Sequence, residues 1–356
     1  RSSANMRTPV IARTLLAIVA LMVTGGMLIF FSASLSLLPR GSEQFGGALL
    51  SQVALGLCGG LIAMVIALRT PLALIKRFAV HGFVLSVLLT ACVFLPVIGL
   101  SVNGARRWLD LGFTTFQPSE ALKLGYILCL AFILSRGRTL GASLKQGILP
   151  YLGITAGVAL LLLLQPDTDT LIVTASAGAA MMFAAGTKYR DVAIFVAGAL
   201  LLLGLLVLVR PYLLERVPTF LDPSRDPQGS GYQIKQSLIA VGSGGVWGRG
   251  FGQSIQKFNY LPEASSDSIF AVYAEEFGFV GSVVLLVGFL FLVLRGLWVA
   301  ARSHDYFGSL VVVGIVTLIG VQAFFNIGAM IGLLPVGGLT LPFASHGGSA
   351  LMVTLL

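Results

Sequence analysis

Charged side chains are scarce in this chain of 356 residues, where Asp, Glu, Lys and Arg together make up 10% and hydrophobic residues 56%. A soluble protein is closer to half apolar and a quarter charged, so an ordinary water-soluble globular domain is excluded. Intrinsic disorder is excluded too, because disordered segments are poor in apolar residues. The apolar runs are near or above the roughly 20 residues that an α-helix needs to cross a bilayer. The composition therefore predicts a polytopic membrane protein.

Cysteine and histidine are also rare, with three of each. Cys58, Cys92 and Cys129 each lie inside an apolar run, so they provide neither a disulfide framework nor a CxxC metal pair. The histidines are far apart in the chain, which argues against a zinc site. The net charge of +9 falls mostly in short loops between apolar runs, where it sets membrane topology. We therefore expect no nucleic-acid partner and only a secondary attraction to anionic membrane lipids.

The apolar runs predict an all-α fold of ten transmembrane helices. Their predicted bounds are 11–38, 47–68, 79–100, 118–135, 148–165, 169–187, 191–213, 267–299, 307–334 and 342–356. Residues 214–266 form one long loop between helices seven and eight. Residues 1–5 are expected to be a remnant of cloning, which leaves 6–356 as a single polytopic membrane domain. No internal repeat of fixed period is visible, which weakens the case for an inverted-repeat transporter.

The distribution of positive charge predicts the orientation. With the N-terminus in the cytoplasm, the inner segments hold 13 Lys and Arg residues and the short outer loops hold three. Ten spans return the C-terminus to the cytoplasm. The segments 101–117, 214–266 and 335–346 then face outward, so any chemistry built from them is expected outside the cytoplasm.

An ionisable pair stands at the start of the fourth predicted helix. Gln117-Pro118-Ser119 is typical of a helix start and places Glu120 and Lys123 on one face. Ionisable residues inside a span are costly and indicate function. The alternative is a salt bridge that holds two helices together.

Asp267 falls where the eighth predicted helix begins, so it is either a functional carboxylate or an N-cap. Glu275 and Glu276 lie roughly 12–13 Å deeper, which indicates a polar cavity or buried hydrogen-bond partners. The glycine-rich stretch 242–250, with Arg and Lys nearby, has the composition of a phosphate cradle, although a loop lying flat on the membrane explains it equally. Because no Gly-Lys-Ser/Thr ending follows, it is not a P-loop.

Together these segments resemble the SEDS family of bacterial cell-wall polymerases, to which FtsW and RodA belong. The motifs that carry the resemblance are Asn103–Trp108, Gln117–Glu120 with Lys123, Gly231–Gln233, Gln236–Gly245, Tyr260–Glu263, Asp267, Glu275-Glu276, Asn326–Gly328, Gly332–Pro335, Leu341–Phe343 and Gly347–Ser349. The stretch Gln256–Pro262 is more similar to the FtsW branch. The chain departs from the family pattern at Ser265-Ser266 (His-Thr in the family), Ser268 (an aromatic) and His346 (Tyr).

The resemblance implies a peptidoglycan glycosyltransferase that polymerises lipid II on the outer face of the bacterial cytoplasmic (inner) membrane and releases polyprenyl pyrophosphate. It implies that Asp267 is the essential carboxylate and that Glu120, Lys123 and Arg107 matter for function. It also implies a partner, a transpeptidase of the class B penicillin-binding proteins.

Inversion at the anomeric carbon requires a base, and Asp267 is the candidate for it. Neutralisation of the leaving pyrophosphate is expected from Lys123, Arg106, Arg107 and Lys257, while Gln233 is expected to bind substrate. Glu120 then orients Lys123 or helps to hold a divalent cation, Mg or Mn, with no organic cofactor. The rival hypotheses are a lipid II flippase and a scaffold that only recruits partners. Polymerisation by purified protein in detergent, where there is no bilayer to cross, separates the enzyme from the flippase.

Overall fold

The computed structural model describes residues 2–102, 105–110, 112, 114–137, 148–190, 218–258 and 260–356, together with the isolated positions 193, 197, 198, 204 and 216. Most of this part is helical. Its α-helices are α1 (Ser2–Ser34), α2 (Ser42–Leu50), α3 (Gly60–Arg69), α4 (Leu72–Ala91), α5 (Pro118–Gly137), α6 (Ile148–Leu164), α7 (Thr168–Ala184), α8 (Ser230–Ser243), α9 (Ile269–Arg302), α10 (Tyr306–Met330) and α11 (Gly348–Leu355). A π-helical stretch, Ser51–Gly59, joins α2 to α3.

Six helical stretches in the described part are long and apolar enough to cross a membrane. They are Arg13–Pro39, Ser42–Arg69, Leu72–Phe94, Pro118–Arg136, Ile269–Arg302 and Tyr306–Met330. Two shorter apolar helices are Tyr151–Leu164 and Thr168–Ala184. The chain is thus a polytopic all-α membrane protein, as the composition predicts. The predicted span 191–213 lies almost wholly outside the described residues, so the count of ten spans stays a prediction.

The predicted third helix, 79–100, has the wrong bounds. The helix is α4, which begins at Leu72 after Pro71 and continues as a short 3₁₀ turn over Cys92–Phe94. Leu95 is extended, with φ −71° and ψ 126°. A proline disfavours the helical conformation of the residue before it, so Pro96 accounts for the end of the helix within an unbroken apolar run.

The predicted loop 101–117 contains an antiparallel sheet of three short strands, β1 (Gly99–Val102), β2 (Ala105–Asp110) and β3 (Thr115–Phe116), in the order β1-β2-β3. Leu100 pairs with Trp108 and Leu109 with Phe116, and a bulge falls between Leu100 and Ser101. The sheet holds the Arg106-Arg107 pair at defined positions of β2.

The ends of the last two predicted helices also differ from the prediction. α10 ends at Met330 in a Schellman motif, in which the N–H of Leu333 binds the carbonyl of Gly328 at 2.8 Å and Gly332 has φ 73°. The sequence predicts the last helix over 342–356, but α11 begins at Gly348. The residues between α10 and α11, 331–347, are called the C-terminal segment below.

The chain divides into two compact units. The first comprises Arg1–Gln52, Ala197–Arg295 and Gln322–Gly347, and the second Val53–Val196, Gly296–Val321 and Gly348–Leu356.

In the second unit, α5 is the most buried span, because 67% of its most apolar stretch is buried inside the protein. Tyr126 and Leu130 of α5 are fully buried, and its core neighbours include Met181 and Leu310. Close packing depends on small residues, because a Cβ at Gly178 would lie 2.1 Å from the Tyr126 hydroxyl.

In the first unit, α9 contains a break at Gly278, with φ 66° and ψ −163°. A broken helix leaves N–H and carbonyl groups without helical partners. The glycine-rich stretch supplies them. Its N–H groups at Arg249 and Gly250 bind the carbonyls of Glu275 and Glu276 at 3.0 and 2.9 Å.

On the other side of the break, the carbonyls of Gly245 and Val246 accept hydrogen bonds from the N–H groups of Phe279 and Val280 at 2.9 and 3.1 Å. A Cβ at Gly248 would lie 2.2 Å from the carbonyl oxygen of Glu276. The backbone of this stretch therefore supplies the hydrogen bonds that the broken helix lacks. Neither interpretation of the sequence, as a phosphate-binding loop or as a loop lying on the membrane, includes this role.

Candidate active site

Asp267 lies in the turn that leads into α9 and is partly exposed. The carbonyl of Ser268 accepts hydrogen bonds from the N–H groups of Ala271 and Val272, at 3.0 and 3.4 Å. The N-cap residue is the one whose carbonyl accepts the first intrahelical bond, so Ser268 occupies the N-cap and Asp267 precedes it.

The predicted substrate-binding residue Gln233 approaches the same turn from α8. Its Nε2 donates a hydrogen bond of 2.9 Å to the hydroxyl of Ser268. Ser268 is fully buried and stands where the family resemblance expects an aromatic. The structure thus brings Gln233 to the residue next to Asp267, and the serine supplies the acceptor that an aromatic ring lacks.

The carboxylate of Glu275 is fully buried and surrounded by donors. It accepts hydrogen bonds from the Ser254 hydroxyl at 2.6 Å and from the N–H groups of Ile255 and Gln256 at 3.1 and 3.2 Å, and Arg249 lies 3.4 Å away. The sequence predicts either a polar cavity or buried hydrogen-bond partners for this glutamate, and the structure shows the hydrogen-bond partners.

The predicted pyrophosphate-binding residue Lys257 is also buried, and its ammonium group is 2.8 Å from Oε1 of Glu276. It donates further hydrogen bonds to the Ser32 hydroxyl at 3.0 Å and to the carbonyl of Gly252 at 2.9 Å. These contacts account for the three N–H donors of the ammonium group. In this arrangement Lys257 joins the chain around residue 252 to α1 and α9.

In the second unit, the Lys123 ammonium lies 2.9 Å from Oε1 of Glu120, and both side chains are buried near the start of α5. The sequence predicts this pair at i, i+3. Because both residues belong to α5, the ion pair itself joins successive turns of one helix and does not join two helices.

Arg107 projects from β2 to the turn between α6 and α7, in the second unit. Its Nε donates to the carbonyl of Gln165 at 3.3 Å, its Nη2 donates to the carbonyl of Pro166, and its Nη1 lies 3.7 Å from Oδ1 of Asp167. The side chain of Arg107 as a whole is 18% exposed.

Arg106, the preceding residue of β2, is exposed and opposes Ser101 in the sheet. Arg107 is the extra residue of the bulge, because Arg106 pairs with Ser101 and Trp108 pairs with Leu100. The simple alternation of side chains along a strand therefore does not apply to these two arginines.

Asp167, which partners Arg107, is a further residue of the site that the sequence does not single out. Its side chain caps α7 by accepting a hydrogen bond of 3.5 Å from the N–H of Thr170. It is buried, and its Oδ2 has no hydrogen-bond partner among the described residues. The available signal was an Asp just after a proline at the boundary of two apolar runs, a common helix start.

Within the described residues, no group of three or more His, Cys, Asp or Glu side chains is arranged to hold a metal ion. A cation bound by one or two carboxylates and by substrate phosphates does not require such a group.

The arrangement of apolar spans with buried ionisable residues defines a polytopic membrane protein with polar groups inside its helical units. The model of the cell cycle proteins FtsW, RodA and SpoVE matches residues 12–356. The chain belongs to this family.

Named relatives agree with the family. A probable peptidoglycan glycosyltransferase FtsW of Nitrosomonas europaea is 38% identical over 346 residues, which cover 95% of this chain and 88% of the relative. The stage V sporulation protein E of Bacillus subtilis is 41% identical over 302 residues, covering 83% of this chain and 81% of the relative.

Solved structures agree as well. A chain described under "Structural coordination of polymerization and crosslinking by a peptidoglycan synthase complex" superposes with a TM-score of 0.77 at 30% identity, covering 96% of this chain and 94% of that one. The rod shape determining protein RodA of Thermus thermophilus gives a TM-score of 0.68 at 30% identity, with 96% and 92% covered.

Proposed function

We propose that the chain is a peptidoglycan glycosyltransferase, which polymerises lipid II into glycan strands and releases polyprenyl pyrophosphate. Family membership and the names of the relatives support the activity. Among the observations on the molecule, the proposal depends most on Asp267, a partly exposed carboxylate immediately before the N-cap of α9.

In the proposed reaction, the 4-hydroxyl oxygen of one lipid-linked sugar bonds to the anomeric carbon of another, with inversion. The bond from that carbon to the pyrophosphate oxygen breaks, and polyprenyl pyrophosphate leaves with the electron pair. The hydroxyl proton passes to Asp267, the general base.

The leaving group requires positive charge. We assign this role to Lys123 and Arg107, with Arg106 as a more exposed contact. Arg suits a diphosphate because its planar fork of donors matches phosphate oxygens. Because the donors of Lys257 are engaged within the first unit, we assign it a supporting role for the chain around residue 252. Gln233 is proposed to bind substrate close to Asp267, through its position beside Ser268.

A divalent cation, Mg or Mn, is part of the proposal as a further source of charge neutralisation for the diphosphate. One or two carboxylates, Glu120 among them, and the substrate's own phosphates would hold it.

The setting of the reaction follows the sequence prediction: ten spans, both termini in the cytoplasm, and the catalytic groups on the outer face of the bacterial inner membrane. A class B penicillin-binding protein is the proposed partner, supported by the peptidoglycan synthase complex among the structural neighbours.

The test is an assay of purified protein in detergent with lipid II alone. Glycan strands and polyprenyl pyrophosphate should appear together, one pyrophosphate for each new linkage. A flippase would give no polymer in detergent and would move labelled lipid II across the bilayer of reconstituted vesicles. That pair of results would overturn the proposal.

A further inference from the structure

The backbone carbonyls of residues 265–267 each accept one hydrogen bond. All three donors lie in the part of the first unit that runs from Gln322 to Gly347. The carbonyl of Ser265 accepts from the N–H of His346 at 2.7 Å, that of Ser266 from Oγ of Ser345 at 2.6 Å, and that of Asp267 from Nδ2 of Asn326 at 2.7 Å. These carbonyls precede the N-cap, so the helix α9 does not engage them as hydrogen-bond acceptors in its first turn. The C-terminal segment and α10 supply the missing donors.

Asn326 uses both N–H donors of its amide. Nδ2 binds the carbonyl of Asp267 and, at 2.6 Å, the carbonyl of Leu339 in the C-terminal segment. Its Oδ1 is buried and has no hydrogen-bond partner in the described part of the chain. Because only the NH₂ end of the amide can donate to two carbonyls, these acceptors define its orientation. Asn326 thus ties the turn before α9 to α10 and to the C-terminal segment.

Ser345 makes a second link of the same kind. Its hydroxyl donates to Ser266 and accepts from the N–H of Leu341 at 2.7 Å. Its carbonyl accepts from Nε2 of Gln52 at 3.1 Å, and Oε1 of Gln52 accepts from the N–H of Gly347 at 3.0 Å. The side chain and the backbone of Ser345 are therefore both held by hydrogen bonds, so its hydroxyl has a defined position for binding the Ser266 carbonyl.

The carboxylate of Asp267 lies beside the same segment. A Cβ built on Gly338 would be 3.4 Å from Oδ2 of Asp267, and Gly338 has φ 75°. The segment that holds the Asp267 backbone therefore also borders the carboxylate.

We infer that Asn326 and Ser345 are positioning residues, which hold Asp267 in the geometry for proton transfer. This inference rests on the proposed function. The effect on rate should be large, because a misplacement of about 1 Å is able to cost about 100-fold. Substrate affinity should change little, since neither hydrogen bond is directed at the substrate.

The test measures glycan synthesis from lipid II by the full chain in detergent, with kcat and KM determined for each variant. Asn326→Ala and Ser345→Ala should each lower kcat by about 10- to 100-fold with KM unchanged within about twofold. Ser345→Thr, which keeps the hydroxyl, should recover most of the lost kcat.

Gln322→Ala is the matched control. Gln322 lies one turn before Asn326 on α10, and its amide binds the carbonyl of Thr340, also in the C-terminal segment, at 2.9 Å. Its loss should loosen that segment to a similar extent while leaving the three carbonyls held. We expect a similar fall in Tm for Gln322→Ala and Asn326→Ala, but a fall in kcat for Asn326→Ala alone.

Two results would overturn the inference: equal kcat losses in Gln322→Ala and Asn326→Ala, or a Ser345→Thr variant as inactive as Ser345→Ala. If Asn326→Ala does not fold, the two Ser345 variants decide the question. Failure of the proposed function is recognised separately, since the unmodified protein would then make no polymer.

Discussion

The ammonium group of Lys257 lies 2.8 Å from Oε1 of Glu276, and the two side chains are 0% and 1% exposed. The Ser32 hydroxyl, which has one proton to donate, lies 2.6 and 2.8 Å from the two carboxylate oxygens of the glutamate. A buried pair of this kind carries a large desolvation cost, which its mutual attraction and hydrogen bonds must offset. We expect this buried ion pair to matter mainly for the stability of the first unit.

Removal of one partner of this pair should be costly. Lys257→Met leaves the Glu276 carboxylate buried without its cation, so the free energy of unfolding should fall by about 3–5 kcal/mol. The double variant Lys257→Met, Glu276→Leu should recover part of that loss. The measurement is Tm in detergent, with Asp222→Asn as control, because the Asp222–Arg225 pair is largely exposed and an exposed ion pair contributes little to stability. A single variant as stable as the control would contradict the structural role of Lys257.

The Glu120–Lys123 pair allows a structural role to be separated from a catalytic one. Glu120→Gln and Lys123→Met should each lower Tm, because each removes the opposite charge beside a buried ionisable group. The double variant should regain much of the stability. If Lys123 neutralises pyrophosphate, the double variant should stay at least about 100-fold less active than the parent, a loss of the size attached to one charge-stabilising donor. A stable and fully active double variant would show that the pair has only a structural role and that Lys123 does not neutralise pyrophosphate.

Arg107 and Arg106 should respond differently to replacement by lysine. Arg107 reaches two carbonyls and a carboxylate through three nitrogens spread over a planar guanidinium, a spacing that the single nitrogen of lysine does not reproduce. Arg107→Lys should therefore lower kcat/KM by about 10-fold or more, about the effect of one lost charge-assisted contact. Arg106→Lys keeps an exposed positive charge and should have a smaller effect. An Arg107→Lys variant as active as the unmodified protein would show that only charge, not the fork of donors, matters here.

Much of the fold follows from the sequence, because long apolar runs predict membrane spans directly. Where the run 79–100 misled, the cause was Pro96, which ends the helix without interrupting the apolar composition. The short sheet over residues 99–116 was missed because its three strands have two to six residues, too few for a clear alternation.

The sequence predicts which residue types belong to the site, but it does not predict which side chains contact each other when they are far apart in the chain. Glu120 and Lys123 are three residues apart on one helix, so their contact could be predicted. Lys257 reaches Ser32, 225 positions away in the chain, and Arg107 reaches Asp167 across 60 positions. Such pairings depend on how helices pack, which no local pattern in a single sequence encodes.

The central claim is that Asp267 accepts the proton of the incoming sugar hydroxyl, and its most direct test compares Asp267→Asn with Asp222→Asn. The measurement is the initial rate of polymer formation from lipid II by purified protein, with Tm recorded for both variants. Asn keeps the shape of Asp267 but is a far weaker base, so the account predicts a loss of at least about 100-fold, in the range of general-base catalysis, at unchanged Tm. Asp222→Asn, in an exposed turn, should keep the parent rate. Polymer formation by Asp267→Asn at the rate of the unmodified protein would contradict the account.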